Sequence, residues 1–465
     1  MGMDASNLKR THVVAMPFPG RGHINPMMNF CKLLTSRQPN NLLITFVVTE
    51  EWLGYIGSDP KPSNVRFATI PNVLPTERLK AVDFPGFYEA VMTKMEAPFE
   101  QLLDGLEPSV NVIIGDIELR WPIGLGNRRN IPVAAFWTMS ATFLTMLYHY
   151  GIFLSDRHLP VDFLGHDDQT TQIPGISSMH LVDLKTVIHE TDKRVMELAL
   201  ECILEVRKTQ CLVFTSVQEL EDQEFNSLKV LFPFPVYSIG PCIPYLELDE
   251  KIPKLLTGDD RLCHLQWLDS QPVGSVLYIS LGSFLSVSPA QMDEILVALN
   301  SVGIRFFWIA RGEATRLKEK CGERGLIVPW CDQLKVLSHC SIGGFWSHCG
   351  WNSTLEAVFA GVPMLTFPLF LDQVPNSRQI VQEWKNGVEL KRDKGSKQIL
   401  LGKKEISERV KGFMEAQTTQ GKKMRENARG LRNMCQRAIA EGGSSYRNLD
   451  SLITSFSEGN CQFNV

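Results

Sequence analysis

Two successive series of short, apolar, β-branched runs constrain this chain more than any other feature. The first series is Thr11–Met16, Leu42–Val48, Val65–Ile70, Val110–Ile114, Val133–Trp137 and Cys211–Phe214. The second is Ser275–Ser280, Arg305–Ile309, Gly325–Val328, Ile342–Trp346 and Met364–Phe367. Each run is trailed by a turn or by residues at helical spacing. Strands covered by helices on both faces read as continuous apolar runs rather than as alternation, so the pattern predicts parallel, doubly wound sheets. Two α/β halves account for the two series, and 465 residues suit two large domains. Ile239–Leu262 separates them with Pro241, Pro244, Pro253 and the acids Glu247, Asp249 and Glu250, which is linker composition. The expected boundaries are therefore a first domain over 1–240, a linker over 241–262 and a second domain from 263. Asp59–Pro85 and Ser155–Pro174 are poor in periodicity and read as surface loops that line a site.

Forty-seven Lys and Arg against 51 Asp and Glu give a net charge of −4, so no global positive field draws nucleic acid or anionic lipid. Eleven cysteines without a C-x-x-C pair point to free thiols in a reducing compartment, and the first ten residues have no apolar core of the secretory kind. A cytosolic protein is expected. Ile131–Leu154 holds no Asp, Glu, Lys or Arg and is long enough to span a bilayer. Pro132 and the polar Thr138, Ser140, Thr142 and His149 instead favour a buried strand running into a helix.

The first strand runs into Pro17-Phe-Pro-Gly-Arg-Gly-His23-Ile-Asn-Pro26, followed by Met27, Phe30, Cys31 and Leu34 at helical spacing. The dinucleotide fingerprint G-x-G-x-x-G is almost matched but fails at Asn25, and the next acidic strand end, Glu50, lies too far on. His23 is what that fingerprint leaves unexplained. It falls where strand carboxyl ends of an open α/β sheet meet their ligand. A helix N-terminus disfavours imidazolium, so the ring is expected to be neutral and able to accept a proton. Asp116, at the end of Val-Ile-Ile-Gly-Asp, is the candidate carboxylate to orient it. A structural histidine and a helix-capping or solvated aspartate are the bland alternatives for the pair.

In the second half, Gly343-Gly-Phe-Trp-Ser-His348-Cys-Gly-Trp-Asn-Ser-Thr-Leu-Glu356 leads to Gly361 as strand, polar turn and amphipathic helix. His348, Gly350, Asn352, Ser353 and Thr354 gather donors around a helix start whose free N–H groups favour an anion, which suits a pyrophosphate. Ser353-x-x-Glu356 also reads as a capping box that needs no ligand. Cys331, Cys340 and Cys349 with His339 and His348 match no standard zinc spacing. Leu281-Gly282-Ser283, closing a strand, offers either a further backbone contact to phosphate or a plain turn.

Those residues carry a resemblance. Trp330 through Gln373 resembles the signature box of plant UDP-dependent glycosyltransferases of small molecules, with Trp330, Gln333, His348-Cys-Gly-Trp351-Asn352-Ser353, Glu356, Gly361-Val-Pro363 and Asp372-Gln373 as landmarks. Pro19-Gly-Arg-Gly-His23, Trp267-Leu-Asp-Ser and Glu441-Gly-Gly-Ser-Ser extend it over most of the chain. The resemblance implies a GT-B fold of two Rossmann-like domains facing across a cleft, with the second domain ending at 446 and a C-terminal helix over 447–465 returning to the first. It implies inverting transfer without a metal or other cofactor. It places Trp330 on uracil with Cys331 beside it, Gln333 and Glu356 on ribose, and His348, Asn352 and Ser353 on the phosphates, with Gly282 and Ser283 on the donor side. Trp351, Asp372 and Gln373 fall to the sugar hydroxyls, and Thr138 to the sugar or phosphate side from the first domain. A Gln at the end of the box goes with glucose, so Gln373 favours UDP-glucose. The sequence departs from the pattern in lacking Pro before Gln333 and in having Leu281 where Phe is usual.

The resulting expectation is a monomeric enzyme that transfers glucose to a hydroxyl or carboxyl of a small apolar acceptor, such as a flavonoid, other phenolic or terpenoid. His23 would be the base and Asp116 its partner, and His23, Phe84–Tyr88, Trp121 and Ser140–Tyr150 would surround the acceptor. A nucleotide-sugar hydrolase or epimerase, a non-catalytic UDP-sugar sensor and a dinucleotide oxidoreductase are the rival readings.

Overall fold

The structure is a computed structural model that describes residues 10–157, 173, 175–248, 260–282, 287–390 and 400–457. Ser283, most of the loop at 155–174 and the linker residues 249–259 lie outside the described residues. The chain divides into two compact units, one of residues 1–242 with 437–465 and one of residues 243–436.

The first unit is built on seven strands, β1 (Thr11–Met16), β2 (Leu42–Thr49), β3 (Val65–Ile70), β4 (Val112–Asp116), β5 (Val133–Trp137), β6 (Cys211–Phe214) and β7 (Val236–Ser238). They form one sheet in the order β3-β2-β1-β4-β5-β6-β7, with every pair parallel. Val13, Val14 and Ala15 of β1 and Ile113 and Ile114 of β4 are fully buried, as a sheet covered on both faces requires. Burying each such side chain is worth roughly 1.5–3 kcal/mol for the larger ones. The segment tested above as a membrane span is β5 followed by the helix Ala141–Arg157, most of it buried. Among the described residues no helix is long and apolar enough to cross a membrane. The helix Ser444–Ser457 contacts β7 and the helix Arg21–Arg37, where Asn448 donates to the Ser238 carbonyl at 2.9 Å and Arg37 stacks over Tyr446.

The second unit holds β8 (Val276–Ser280), β9 (Arg305–Ile309), β10 (Gly325–Val328), β11 (Ile342–Ser347), β12 (Met364–Thr366) and β13 (Gly387–Glu389). Their order is β10-β9-β8-β11-β12-β13, again parallel throughout. Trp308 and Trp346 fill its core with Phe306, Ile279 and Leu365. The two sheets repeat one topology, and the fold is GT-B, two Rossmann-like units. In each sheet the chain order reverses beside the first strand, between β1 and β4 and between β8 and β11. Open α/β sheets bind their ligands at the carboxyl ends of the strands flanking that reversal.

Two strands escaped the sequence reading, β7 and β13. Both are three-residue edge strands, too short to show a run of buried residues. The strand expected at Val110–Ile114 begins two residues later, which makes Asp116 its last residue.

Candidate active site

At the first reversal, β1 delivers Pro17–Gly20 and the helix Arg21–Arg37 starts with Gly20 as its cap. A side chain at Gly20 would place its Cβ 2.8 Å from the Lys80 ammonium, so the turn and the tip of that lysine are packed closely together. His23 sits in the first turn of that helix, largely buried, and its Nδ1 is 2.8 Å from Asp116 Oδ2. The Asp116 carboxylate is itself fixed, accepting from the backbone N–H of Phe18 at 3.2 Å and of Glu118 at 3.0 Å. Thr138 Oγ1 lies 3.1 Å from the same Nδ1, so the structure engages this hydroxyl with the histidine. On the other side of the ring, Nε2 is 3.4 Å from Glu118 Oε2.

The surroundings of the ring favour its charged form more than a helix N-terminus alone does. Burial pulls its pKa down, but the charge and hydrogen bond of Asp116 and the charge of Glu118 outweigh burial and leave it above the ordinary histidine value. Two carboxylates at contact distance dominate the weaker field of a helix end. Lys80 is buried nearby, with its ammonium 2.6 Å from the Pro19 carbonyl and 3.5 Å from Glu77 and over the rings of Phe18 and Phe87. Phe18 packs on His23 and on Tyr88, and Tyr88 packs on Phe84. Trp121, grouped with the acceptor residues from sequence, packs instead on Phe99 with its indole donating to the Val91 carbonyl.

At the second reversal, β11 ends in a turn held by a left-handed Cys349, φ 69°. Asn376 donates to the Cys349 carbonyl at 2.9 Å, which fixes the strained residue. The helix Trp351–Ala360 follows with Gly350 as cap and no side-chain capping bond. The first intrahelical bond is from Thr354 N–H to the Gly350 carbonyl, so the N–H groups of Trp351, Asn352 and Ser353 make up the helix start ahead of it. His348 stands beside it, and burial lowers its ring to about 4 against the opposing Ser280 backbone hydrogen bond, which keeps the ring neutral. Gly282 closes β8 with φ 99°.

The capping box is overturned. Ser353 is the third residue inside the helix, and Glu356 receives a hydrogen bond from Gln333 Nε2, which also donates to Ser353 Oγ at 2.9 Å. The Tyr278 hydroxyl, which the sequence reading missed, donates to Gln333 Oε1 at 3.0 Å and lies 3.4 Å from Cys331 Sγ. It supports Gln333 from β8 despite the absent proline. Burial raises Glu356 to about 7. Trp330 leaves 46% of its surface exposed, unusual for an indole and suited to stacking on a flat ring. Asp372 is buried and receives a hydrogen bond from Asn376 at 2.8 Å, while Gln373 Oε1 accepts from the backbone N–H of Leu369 and Phe370. That orientation leaves the Gln373 amide nitrogen as its donor end. The Trp351 ring is buried against Trp384, so its backbone N–H at the helix start, rather than its ring, is the group placed to meet a ligand. Among the described residues no three His, Cys, Asp or Glu side chains stand close enough to hold a metal ion.

A histidine held by a carboxylate is suited to moving a proton, and a helix start beside neutral donors is suited to holding an anion. Known proteins resemble this chain as a whole. The profile of the family "UDP-glucoronosyl and UDP-glucosyl transferase" matches residues 258–406. UDP-glycosyltransferase 87A2 of Arabidopsis thaliana is 47% identical over 448 residues, 95% of this chain and 96% of that protein. The chain belongs to the plant family 1 UDP-glycosyltransferases. The 7-deoxyloganetin glucosyltransferase of Catharanthus roseus is 33% identical to this transferase, with 96% of each chain covered. Among solved structures, Medicago truncatula UGT71G1 complexed with UDP-glucose superposes with a TM-score of 0.78 at 27% identity, covering 98% of this transferase and all of that chain. The transferase is thus a UDP-sugar-dependent enzyme, and the sensor, oxidoreductase and epimerase readings fall away.

Three residues of the transferase's sites were not foreseen: Glu118, Lys80 and Tyr278. Glu118 carried the one usable signal, its place two residues beyond Asp116 at the same strand end.

Proposed function

We propose that this enzyme transfers glucose from UDP-glucose, with inversion and without a metal, to a hydroxyl or carboxyl of a small lipophilic acceptor such as a flavonoid, other phenolic or terpenoid. The observation that carries this reading is the 2.8 Å contact between His23 Nδ1 and Asp116. Asp116 sets the tautomer, so that Nε2 takes the proton of the acceptor oxygen as that oxygen attacks the anomeric carbon. The imidazolium so formed is stabilised by Asp116. The departing diphosphate gains charge, and the first-turn amides with His348, Asn352 and Ser353 meet that charge without reorganising. Trp330 stacks on uracil, with Cys331 behind it against Tyr278. Gln333 and Glu356 take the ribose hydroxyls, and Asp372, Gln373 and the Trp351 backbone take those of the sugar. Gly282 and Ser283 add to the donor side.

Glucose as the sugar is supported by Gln373 and by the UDP-glucose bound to the Medicago truncatula enzyme. A phenolic acceptor is supported by the Phytolacca americana UGT2 structure, which holds UDP-2-fluoro-glucose and pterostilbene at 26% identity and a TM-score of 0.77. The apolar collar of Phe18, Phe84 and Tyr88 beside His23 fits such a molecule. The free thiols of the described cysteines fit a cytosolic enzyme, which we take to act as a monomer.

The test is mass spectrometry of UDP-glucose with a pooled panel of phenolics, flavonoids, terpenoids and small acids, with and without a chelator. Addition of one hexose in both conditions is the expected result. No product together with no UDP binding by calorimetry overturns the reading.

A further inference from the structure

The two nitrogens of the His23 ring are both occupied by carboxylates, and only one of these has a place in the proposed reaction. Asp116 holds Nδ1. Glu118 stands 3.4 Å from Nε2, the atom an acceptor hydroxyl has to reach. A tight turn aims both acids at the ring, since Asp116 accepts from the Glu118 N–H at 3.0 Å and its carbonyl from the Leu119 N–H at 3.0 Å. Neutral imidazole with its proton on Nδ1 presents a lone pair at Nε2, and a carboxylate presents another. Two lone pairs do not attract at that distance, whereas an imidazolium and a carboxylate do, so the 3.4 Å contact is an ion pair when the ring is protonated. His23 and Glu118 consequently titrate as a pair, and both are raised above their ordinary values. Lys80 faces the pair from the segment before the helix Phe84–Lys94, and Glu77 lies behind Lys80. Tyr88 and Cys202, buried and neutral, face Glu118 from the helices packed on it.

We propose that Glu118 is a positioning and specificity residue that holds His23 Nε2 in the ligand-free enzyme and turns to a second hydroxyl of the acceptor when the first takes its place. This rests on His23 being the base. An acceptor oxygen at hydrogen-bond distance from Nε2 lies within about 6 Å of the Glu118 carboxylate, even without any shift. A largely buried carboxylate that loses its partner needs another donor. A neutral acceptor with adjacent hydroxyls supplies one from the same molecule. A monohydroxyl compound supplies none, and an ionised carboxylic acid supplies none while adding a like charge beside Asp116, Glu118 and Glu77. Lys80 offsets part of that charge but is already held by Glu77 and the Pro19 carbonyl. The site therefore prefers catechol-like and other vicinal diol acceptors, and forms glucosides rather than glucose esters.

The test uses the full-length enzyme with Glu118→Gln and Glu118→Leu. Long-range nitrogen NMR of the ligand-free protein, with His23→Ala to assign the signal, reads the His23 titration directly. The midpoint is expected to fall by about one pH unit in Glu118→Gln, because a neighbouring negative charge is gone. An unchanged midpoint overturns the contact on which the proposal stands. With activity as the readout, the ratio of kcat/KM for a catechol over the matching monophenol is expected to fall about tenfold in Glu118→Leu, with the KM for UDP-glucose unchanged. Turnover of a simple benzoate is expected to rise relative to the monophenol. An equal loss on all three acceptors overturns the specificity role. Absence of any hexose transfer by the wild type would instead break the proposed function, and the NMR midpoint separates that failure from this one.

Discussion

The two units share a strand order and a point of reversal, yet the two crevices are furnished in opposite ways. At the β1/β4 reversal the protein crowds ionisable groups onto one imidazole: Asp116 on Nδ1, Glu118 on Nε2, Lys80 and Glu77 behind. The histidine there is pushed above its ordinary pKa. At the β8/β11 reversal the histidine is pushed down to about 4, and it stands beside the N–H groups of a helix start. One topology thus hosts a ring tuned to exchange protons and a ring tuned to stay neutral. The difference lies in what borders the ring, because burial lowers both and only carboxylates at contact distance reverse it. Proton transfer needs a group near its titration point, whereas a diphosphate is held best by fixed neutral dipoles that do not compete for its protons.

The sharpest way to break this division is to remove the proton-exchanging ring. His23→Ala is expected to lower kcat for hexose transfer by roughly 10²–10⁴-fold, the usual contribution of a general base. UDP affinity by calorimetry should stay within about threefold of wild type, since no donor to the diphosphate is touched. In the wild type, kcat/KM should fall as pH drops through the raised His23 value, because protonation removes the base. A variant that loses UDP binding in step with turnover would show that the two crevices are not separate in function.

Much of this contrast was legible in the residues themselves. Eleven of the thirteen strands announce themselves as apolar runs because a doubly covered parallel sheet demands them. Two of the edge strands, Val236–Ser238 and Gly387–Glu389, are short and only partly buried, so they do not. His23, Asp116 and His348 were visible because each follows a strand that ends in a turn. Glu118 and Lys80 were not, since a single acid in a loop and a single lysine among prolines read as solvated charges. Only the turn at Asp116 and the fold of the loop around Pro19 bury them against the ring. The capping box misled for a related reason. Its spacing is right, but the helix starts at Trp351, which puts Ser353 in the third position and frees Glu356 to meet Gln333. Weighing a helix dipole on His23 left out the second carboxylate, which spacing alone does not place.

In the anion-holding crevice the position with the next largest expected effect is a glycine. A Cβ at Gly350 would lie 2.5 Å from His348 Nε2, closer than side-chain carbons approach such an atom, so Gly350→Ala must displace the ring or the turn. Loss of one hydrogen bond to a charged phosphate is worth roughly 1.5–3 kcal/mol, or about ten- to a hundredfold in affinity. UDP binding by calorimetry should weaken by that amount, while uridine, which lacks the diphosphate, should lose little. Equal losses for UDP and uridine would mean that His348 does not serve the phosphates.

The smallest expected effect tests Glu356, the carboxyl that meets Gln333 in that crevice. Glu356 is raised to about 7 by burial, with Gln333 pulling in the opposite direction. Ribose hydroxyls donate hydrogen bonds, and a carboxylate accepts them better than a carboxylic acid does. UDP binding is therefore expected to strengthen as pH rises from 6 to 8, by roughly three- to tenfold beyond the titration of UDP itself. Glu356→Gln carries no charge to titrate, so the ratio of its dissociation constant to that of the wild type should grow over the same interval. The ligand-free protein runs the other way. A folded-state value above that of a free carboxyl means that stability is present below the unfolded value and is lost as pH climbs through about 7. At pH 8 the Gln variant should accordingly melt no lower than wild type. Parallel binding curves for the two proteins across this range would exclude the ionised Glu356 from the ribose and leave Gln333 as the group that reads it.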